Sequence, residues 1–260
     1  MYSKEHTQYL KKEKKKKHII TISKITIITT FLLIWEITAQ LEIINPFLSS
    51  YPSQVIKTTI KLWEQNNLLS HILITLYETL ISFSLASIIG IIIASILWSN
   101  KTLAKILDPY LTILNSLPKI SLGPLIIIWI GANTKSIIFM ALLISVFTTI
   151  ISMYNAFITT DKQKIILMKS FGANKLQIFT KLILRGNTKS LVNTLKINIS
   201  LSLIGVIMGE LLVSKKGLGY LITYGSQVFN LNLVITSIFI LGILSYILYI
   251  LIDLFEKKIK

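Results

Sequence analysis

Residues 160–186, "TDKQKIILMKSFGANKLQIFTKLILRG", separate two runs apolar enough to dissolve in lipid, 135–158 and 191–213. The segment carries five lysines, Asp161 and the chain's one arginine, Arg185, and Phe171-Gly172-Ala173-Asn174 breaks it near its centre. Thr160 or Asp161 is placed to cap a short helix, whose N-terminus favours negative charge. Gly172 suits a left-handed turn at the end of that helix, and Asn174 suits the cap of a second. In the second helix Leu176, Phe179 and Ile183 recur at i, i+3 and i+7, with Ile178 and Leu182 beside them and Lys175, Gln177 and Lys181 on the other side. The pattern predicts two short amphipathic helices joined at a glycine. Two readings stay open at this level: helices lying among lipid headgroups, or a docking element that seats an apolar ridge in a groove on a soluble partner.

The rest of the chain sets the context. It is 53% hydrophobic over 260 residues, with a mean hydropathy of +0.70. That length holds five or six spans of roughly 20 residues and little else, so a separate soluble domain has no room. Internal repeats are absent. Without cysteine there is no disulfide framework and no thiolate metal site. A formal charge of +16 suggests nucleic acid only for a soluble chain; in a membrane protein, lysine excess reports topology.

An all-α membrane bundle of six spans is expected, near 19–41, 70–98, 105–130, 135–158, 191–213 and 232–255. The first follows a basic tail, 1–18, that looks like a signal-peptide n-region. The long apolar run after it lacks a small-x-small cleavage site, which favours a retained span. Lysines of the tail can touch anionic lipid heads. Asn45-Pro46 and Tyr51-Pro52-Ser53 mark turns before an amphipathic stretch at 53–65. With the N-terminus inside, segments 1–18, 99–105, 159–190 and 256–260 hold 19 Lys or Arg, against 4 in segments 42–69, 131–134 and 214–231. This asymmetry predicts that both termini and residues 160–186 are cytoplasmic.

Four stretches, in order, carry a resemblance. "LMKSFGANKLQIFTKLIL" (167–184) resembles the cytoplasmic loop of permease subunits of bacterial binding-protein-dependent ABC importers, which typically reads Glu-Ala-Ala, three residues, Gly, about nine residues, Ile-x-Leu-Pro. "YPSQVIKTTIKLW" (51–63) looks like that family's Pro-Ser-Pro-x-x-Val stretch. "LDPYLTILNSLPKISLGPLIIIWIG" (107–131) looks like its third span, and "LIGVIMGELLVSKKGLGYLI" (203–222) like its fifth span and exit loop. The resemblance covers roughly residues 45–255. It points to the subfamily of sulfonate, taurine and nitrate permeases and those for pyrimidine precursors of thiamine. Two departures stand out. Ile166-Leu167-Met168 replaces Glu-Ala-Ala, and Arg185-Gly186 stands where proline usually ends the second helix, leaving Gly186 as the expected breaker.

The resemblance implies a permease domain over 64–255 that contains a coupling segment, 160–186. Met168, Phe171, Gly172, Ala173, Leu176 and Phe179 would meet a cytoplasmic ABC ATPase dimer. A second permease subunit, identical in the simplest case, would complete the path, and an extracytoplasmic binding protein would deliver solute at the outer face. The chain itself would be no enzyme and need no cofactor. "RGNTKS" (185–190) lacks the glycine before Lys189 that a phosphate-binding loop requires.

Ionisable groups at membrane depth cost about 2.5–3.5 kcal/mol on insertion scales, so each invites a role. Glu78, Lys119 and Glu210 are candidates for structural pairing or for the translocation path. Pro118 and Pro124, with Gly123, weaken the third span's hydrogen-bond ladder, which is tolerated where backbone is buried or lines a cavity. Gly217 and Gly219 fall in the exit loop. Asp108 and Lys196, near the cytoplasmic ends, are explained by snorkelling or headgroup contact. Glu36 needs no special role. The resemblance places arginine at position 78 in sulfonate-type relatives; glutamate there suits a neutral or cationic solute. The alternative to an ABC permease is a transporter driven by an ion gradient, to which the lack of an inverted-repeat signature is unfavourable.

Overall fold

The computed structural model describes residues 4–65 and 68–259. Among the described residues all regular structure is helical. In chain order α1 is Lys4–Gln40, α2 Pro46–Ser49, α3 Pro52–Gln65, α4 Leu68–Ser99, α5 Lys101–Ser116 and α6 Gly123–Ile130. Then come α7 Thr134–Ile158, α8 Lys162–Ser170, α9 Lys175–Ile178, α10 Thr188–Val213, α11 Leu218–Gln227 and α12 Leu231–Ile259. Five helices are long and apolar enough to cross a membrane, and α5 and α6, bent by 82° between them, make a sixth where the pair counts as one broken span. The chain is a multi-pass membrane protein.

The centre of the bundle is α7, packed between α4 and α10. Helices in lipid gain little from burying apolar groups, which are equally content in acyl chains, so close backbone approach must hold them together. The residues supply it. A Cβ added at Gly205 on α10 would lie 2.4 Å from the Ala141 Cα on α7, and one at Gly209, a turn along, 3.0 Å from the Ile137 Cα. On the other side, a Cβ at Gly90 of α4 would lie 2.6 Å from the Thr149 Cγ2. Gly205→Leu is therefore expected to force α7 and α10 apart, at the roughly 1–3 kcal/mol typical of overpacking. The check is a lower midpoint of thermal unfolding in detergent, with Gly242→Leu, whose added Cβ meets nothing within 4 Å, as the control.

A polar contact also crosses this core. Asn198 Nδ2 on α10 donates to Ser87 Oγ on α4 at 2.6 Å, with both residues buried. The first helix is looser. None of the 18 residues in its most apolar window is buried. It is held by Trp35 stacked on Phe239 of α12, centroids 5.5 Å apart, and by Glu36. Glu36 was expected to need no role, yet its carboxylate accepts from Ser53 N at 3.0 Å and Ser53 Oγ at 2.8 Å. It thereby supplies an acceptor at the N-terminus of α3, where backbone N–H groups lack helical partners.

The third crossing is where the one-span expectation needs correcting. Leu117 is extended (φ −60°, ψ 140°), as a residue before proline is pushed to be. A 3-10 turn, Lys119–Leu122, follows, and α6 restarts with Pro124 in its first turn, where its missing N–H costs nothing. The stretch beyond α10, read as a plain exit loop, also contains helix: α11 packs on α12 and α10 with Leu218, Gly219, Leu221 and Gly225 buried.

Candidate functional site

At one end of the bundle α8 and α9 project between α7 and α10. Asp161 caps α8, accepting from Gln163 N at 2.8 Å. The helix ends at Gly172, φ +75°, where Gly172 N donates to Lys169 O and Ala173 N to Met168 O, a left-handed C-cap. Asn174 and Gln177 then form a reciprocal capping box: Gln177 N donates to Asn174 Oδ1 at 2.8 Å and Asn174 N to Gln177 Oε1 at 2.9 Å. After α9 a π-helical turn spans Phe179–Leu184. The expected break at Gly186 is displaced. Arg185 and Gly186 stay helical, and the turn falls at Asn187, whose Nδ2 donates to Thr160 Oγ1 at 2.7 Å and to Ile183 O at 2.8 Å.

The expected stripe is divided: Leu176, at the N-terminus of α9, is exposed, while Phe179 and Ile183 pack inward. Ile178 and Ile183 are buried against α4 and α7, with Met168, Ala173 and Phe179 packed on the same cluster. Phe179 lies 5.2 Å from Trp98 and 5.4 Å from Phe157, ring centre to ring centre. Facing away, Phe171 is 79% exposed and Leu176 70%. Ile166 and Leu167 of α8, two of the three residues in place of Glu-Ala-Ala, are also exposed. Anchor and ridge are thus separate sets of residues.

At the other end a polar knot ties α4, α10 and α11. Glu210 is 1% exposed and accepts from Thr75 Oγ1 and from Gly219 N, both at 2.6 Å. Leu218 N donates to Thr75 Oγ1 at 2.9 Å, and Gly217 N to His71 Nδ1 at 3.0 Å. Gly217 has φ +111°, and a Cβ there would sit 2.2 Å from Glu210 Oε1. Only glycine permits both the turn and the approach. Glu78 of α4 is 1% exposed, lies near enough to Glu210 for the two carboxyl groups to interact, and borders a cavity of about 510 Å³ that Asn133, Thr134, Lys215 and Lys216 also line.

Along the bent crossing, Lys119 Nζ donates to Asn115 O at 2.8 Å and lies 5.7 Å from the Phe147 ring centre. Thr148 Oγ1 donates to Asn115 Oδ1 at 3.2 Å. Pro118 and Pro124 are exposed on the same segment. A polar strip therefore runs on an open face of the bundle.

A match to the family described as binding-protein-dependent transport system inner membrane component covers residues 86–260. The chain belongs to this family. It is 30% identical over 213 residues to the formylaminopyrimidine transport permease protein ThiX of Halalkalibacterium halodurans, covering 82% of this chain and 84% of that protein. The taurine transport system permease protein TauC of Escherichia coli is 22% identical over 234 residues, covering 88% and 85%. In fold, the chain matches an inward-facing crystal form of the MetNI methionine ABC transporter with a TM-score of 0.67 at 20% identity, over 74% of this chain and 96% of that one.

In this permease, the sequence singled out Glu78, Glu210, Gly217 and Gly219 separately, and the fold brings them to one knot. Thr75 was missed, because a lone threonine in an apolar run carries no signal, and His71, at a span edge, was given no role. Asn115 and Thr148 were missed for the same reason as Thr75. Lys196 needs a correction. It does not reach for headgroups: Nζ pairs with Asp253 at 2.5 Å and Glu256 at 2.9 Å and lies 5.2 Å from the Tyr249 ring centre, fastening α10 to α12. Lys196→Met is expected to leave two carboxylates facing each other and to lower the unfolding midpoint by more than Lys196→Arg does. Differential scanning fluorimetry of the three proteins checks it.

Proposed function

We propose that the ridge of Ile166, Leu167, Phe171 and Leu176 is the surface on which a cytoplasmic ABC ATPase docks, and that this permease imports a small uncharged or cationic solute. The exposed ridge carries the reading. Four large apolar side chains project at the lysine-bearing end of the bundle, while the residues behind them are anchored by an aromatic cluster. A helix that only lay in the headgroups would turn its apolar face to the bundle's lipid side. Here the most exposed apolar groups sit at the tip of a capped helical turn, the arrangement of a helix-in-groove contact. The lysine asymmetry supports a cytoplasmic location for this end, shared by both chain termini.

The open polar strip of Asn115, Lys119 and Thr148 supports a path closed by a second permease subunit, since within one chain that face has no cover. Pro118 and Pro124 bend the crossing so that the strip lies along it. A binding protein would deliver solute at the opposite end, near α3 and α11. The solute class rests on two observations. One is Glu78 on the wall of the cavity at that end, where the resemblance gives sulfonate-type relatives an arginine. The formylaminopyrimidine permease is also more similar to this chain than the taurine permease is.

Reconstitution tests both parts. The permease is placed in proteoliposomes with the ATPase and binding protein encoded beside it, and uptake of radiolabelled formylaminopyrimidine and of taurine is followed. ATP-dependent uptake of the pyrimidine alone is the expected outcome. Taurine uptake would overturn the solute class, and uptake under an ion gradient without ATP would overturn the docking role.

A further inference from the structure

A cavity of about 790 Å³ lies between α8, α9 and the ends of α4 and α7, with Ile166 of the ridge on its wall and Leu167, Phe171 and Leu176 outside it. Its size falls within the roughly 300–1,000 Å³ of small-molecule sites. Trp98 and Tyr154, backed by the buried Leu97, Phe157 and Ile178, give it an apolar, largely aromatic interior. Its rim is different. Lys101, Lys162, Lys169 and Lys175 come from three helices to surround the opening, and among the described residues no acidic side chain lines it. The nearest acid on these elements, Asp161, is occupied with its own helix cap. Lys175 Nζ donates to Ser99 O, which holds that ammonium group at the mouth.

The depth of the cavity is fixed by the spans that form it. The apolar run of α4 ends at Ser99 and that of α7 at Ile158, and both ends are in its wall. This is the level at which hydrocarbon gives way to headgroups, where tryptophan and tyrosine concentrate. A cationic rim over an aromatic interior at that level matches an amphiphile with an anionic head. A soluble anion would use the lysines and leave the interior empty, and an acidic peptide would have to enter from below the lipid level.

We propose that this cavity binds an anionic phospholipid. Lysines 101, 162, 169 and 175 hold its phosphate, and the first acyl methylenes lie against Trp98 and Tyr154, which are half-buried. The site does not depend on which solute is carried, and it shares Ile166 with the ridge. Its occupant would fill the space between the projecting helices and the bundle.

The test uses the full-length chain with Trp35, Trp63 and Trp129 each replaced by Phe, leaving Trp98 as the one tryptophan. Quenching of Trp98 fluorescence is titrated with phosphatidylglycerol brominated on its acyl chains, and with the matching phosphatidylcholine. Quenching by the anionic lipid at about fivefold lower mole fraction or better is expected. The Lys101→Gln/Lys162→Gln/Lys169→Gln variant should level the two lipids. Lys57→Gln/Lys61→Gln/Lys215→Gln, at the other end, should leave the difference intact. Equal quenching by both lipids, or selectivity that survives the first triple variant, overturns the proposal. So does full displacement of the brominated lipid by soluble glycerol phosphate or by an acidic peptide.

Discussion

Gly172→Asp is expected to abolish ATP-driven uptake while leaving the protein folded and inserted. At φ +75° an aspartate is among the few residues that tolerate the backbone, and an added Cβ meets nothing within 4 Å. The fold has no reason to fail. The carboxylate would instead stand between Phe171 and Leu176, in the middle of the proposed docking ridge. An unpaired charge buried in an apolar contact costs about 3–5 kcal/mol, or roughly a hundredfold or more in affinity. Gly172→Asn separates charge from strain: it accepts the same backbone without the charge and should retain most of the uptake. Co-purification of the ATPase with each variant, together with ATP hydrolysis and uptake, checks both. Wild-type uptake by the Asp variant would remove the docking role from this turn.

Glu210→Ala should have the second large effect. The carboxylate is the acceptor for both Thr75 Oγ1 and Gly219 N in a site 1% exposed. Removing it leaves two buried donors without a partner, each at about 1–3 kcal/mol. The expected result is release of α11 from α4 and α10, a fall in the unfolding midpoint, and loss of uptake even when the ATPase still binds. Glu210→Gln keeps one carbonyl acceptor and should lie between the wild type and the alanine variant. Faster amide hydrogen exchange confined to residues 214–227 would locate the damage. Exchange unchanged there in Glu210→Ala would show that the knot does not hold α11.

What the sequence made legible was whatever is written in period or punctuation. Runs of apolar residues located the five long helices and the bent pair α5–α6, and Asp161, Gly172 and Asn174 fixed the caps of α8 and α9 because capping chemistry is local. Pro118, Gly123 and Pro124 announced a weak third crossing, though not that it would turn by 82°. The misses involve partners distant in the chain. Nothing near Lys196 hints at Asp253, 57 residues on, nor does Glu36 hint at Ser53. The stripe of Leu176, Phe179 and Ile183 was divided because Leu176 lies in the first turn of α9, at the exposed tip, and the π-turn that follows has no simple sequence mark.

The glycine contacts that join α4, α7 and α10 have a mechanical consequence. Side chains with room around them can slide; backbones at van der Waals distance cannot without climbing a steep repulsive wall. The three helices therefore behave as a stiff beam. At one end the aromatic ring cluster bolts α8 and α9 to it, and at the other Glu210 bolts on α11. A push delivered at Phe171 cannot be absorbed by bending along the way. Under the proposed docking it would emerge as tilt, with the thinly attached α1 and the bent pair α5–α6 the first parts free to yield.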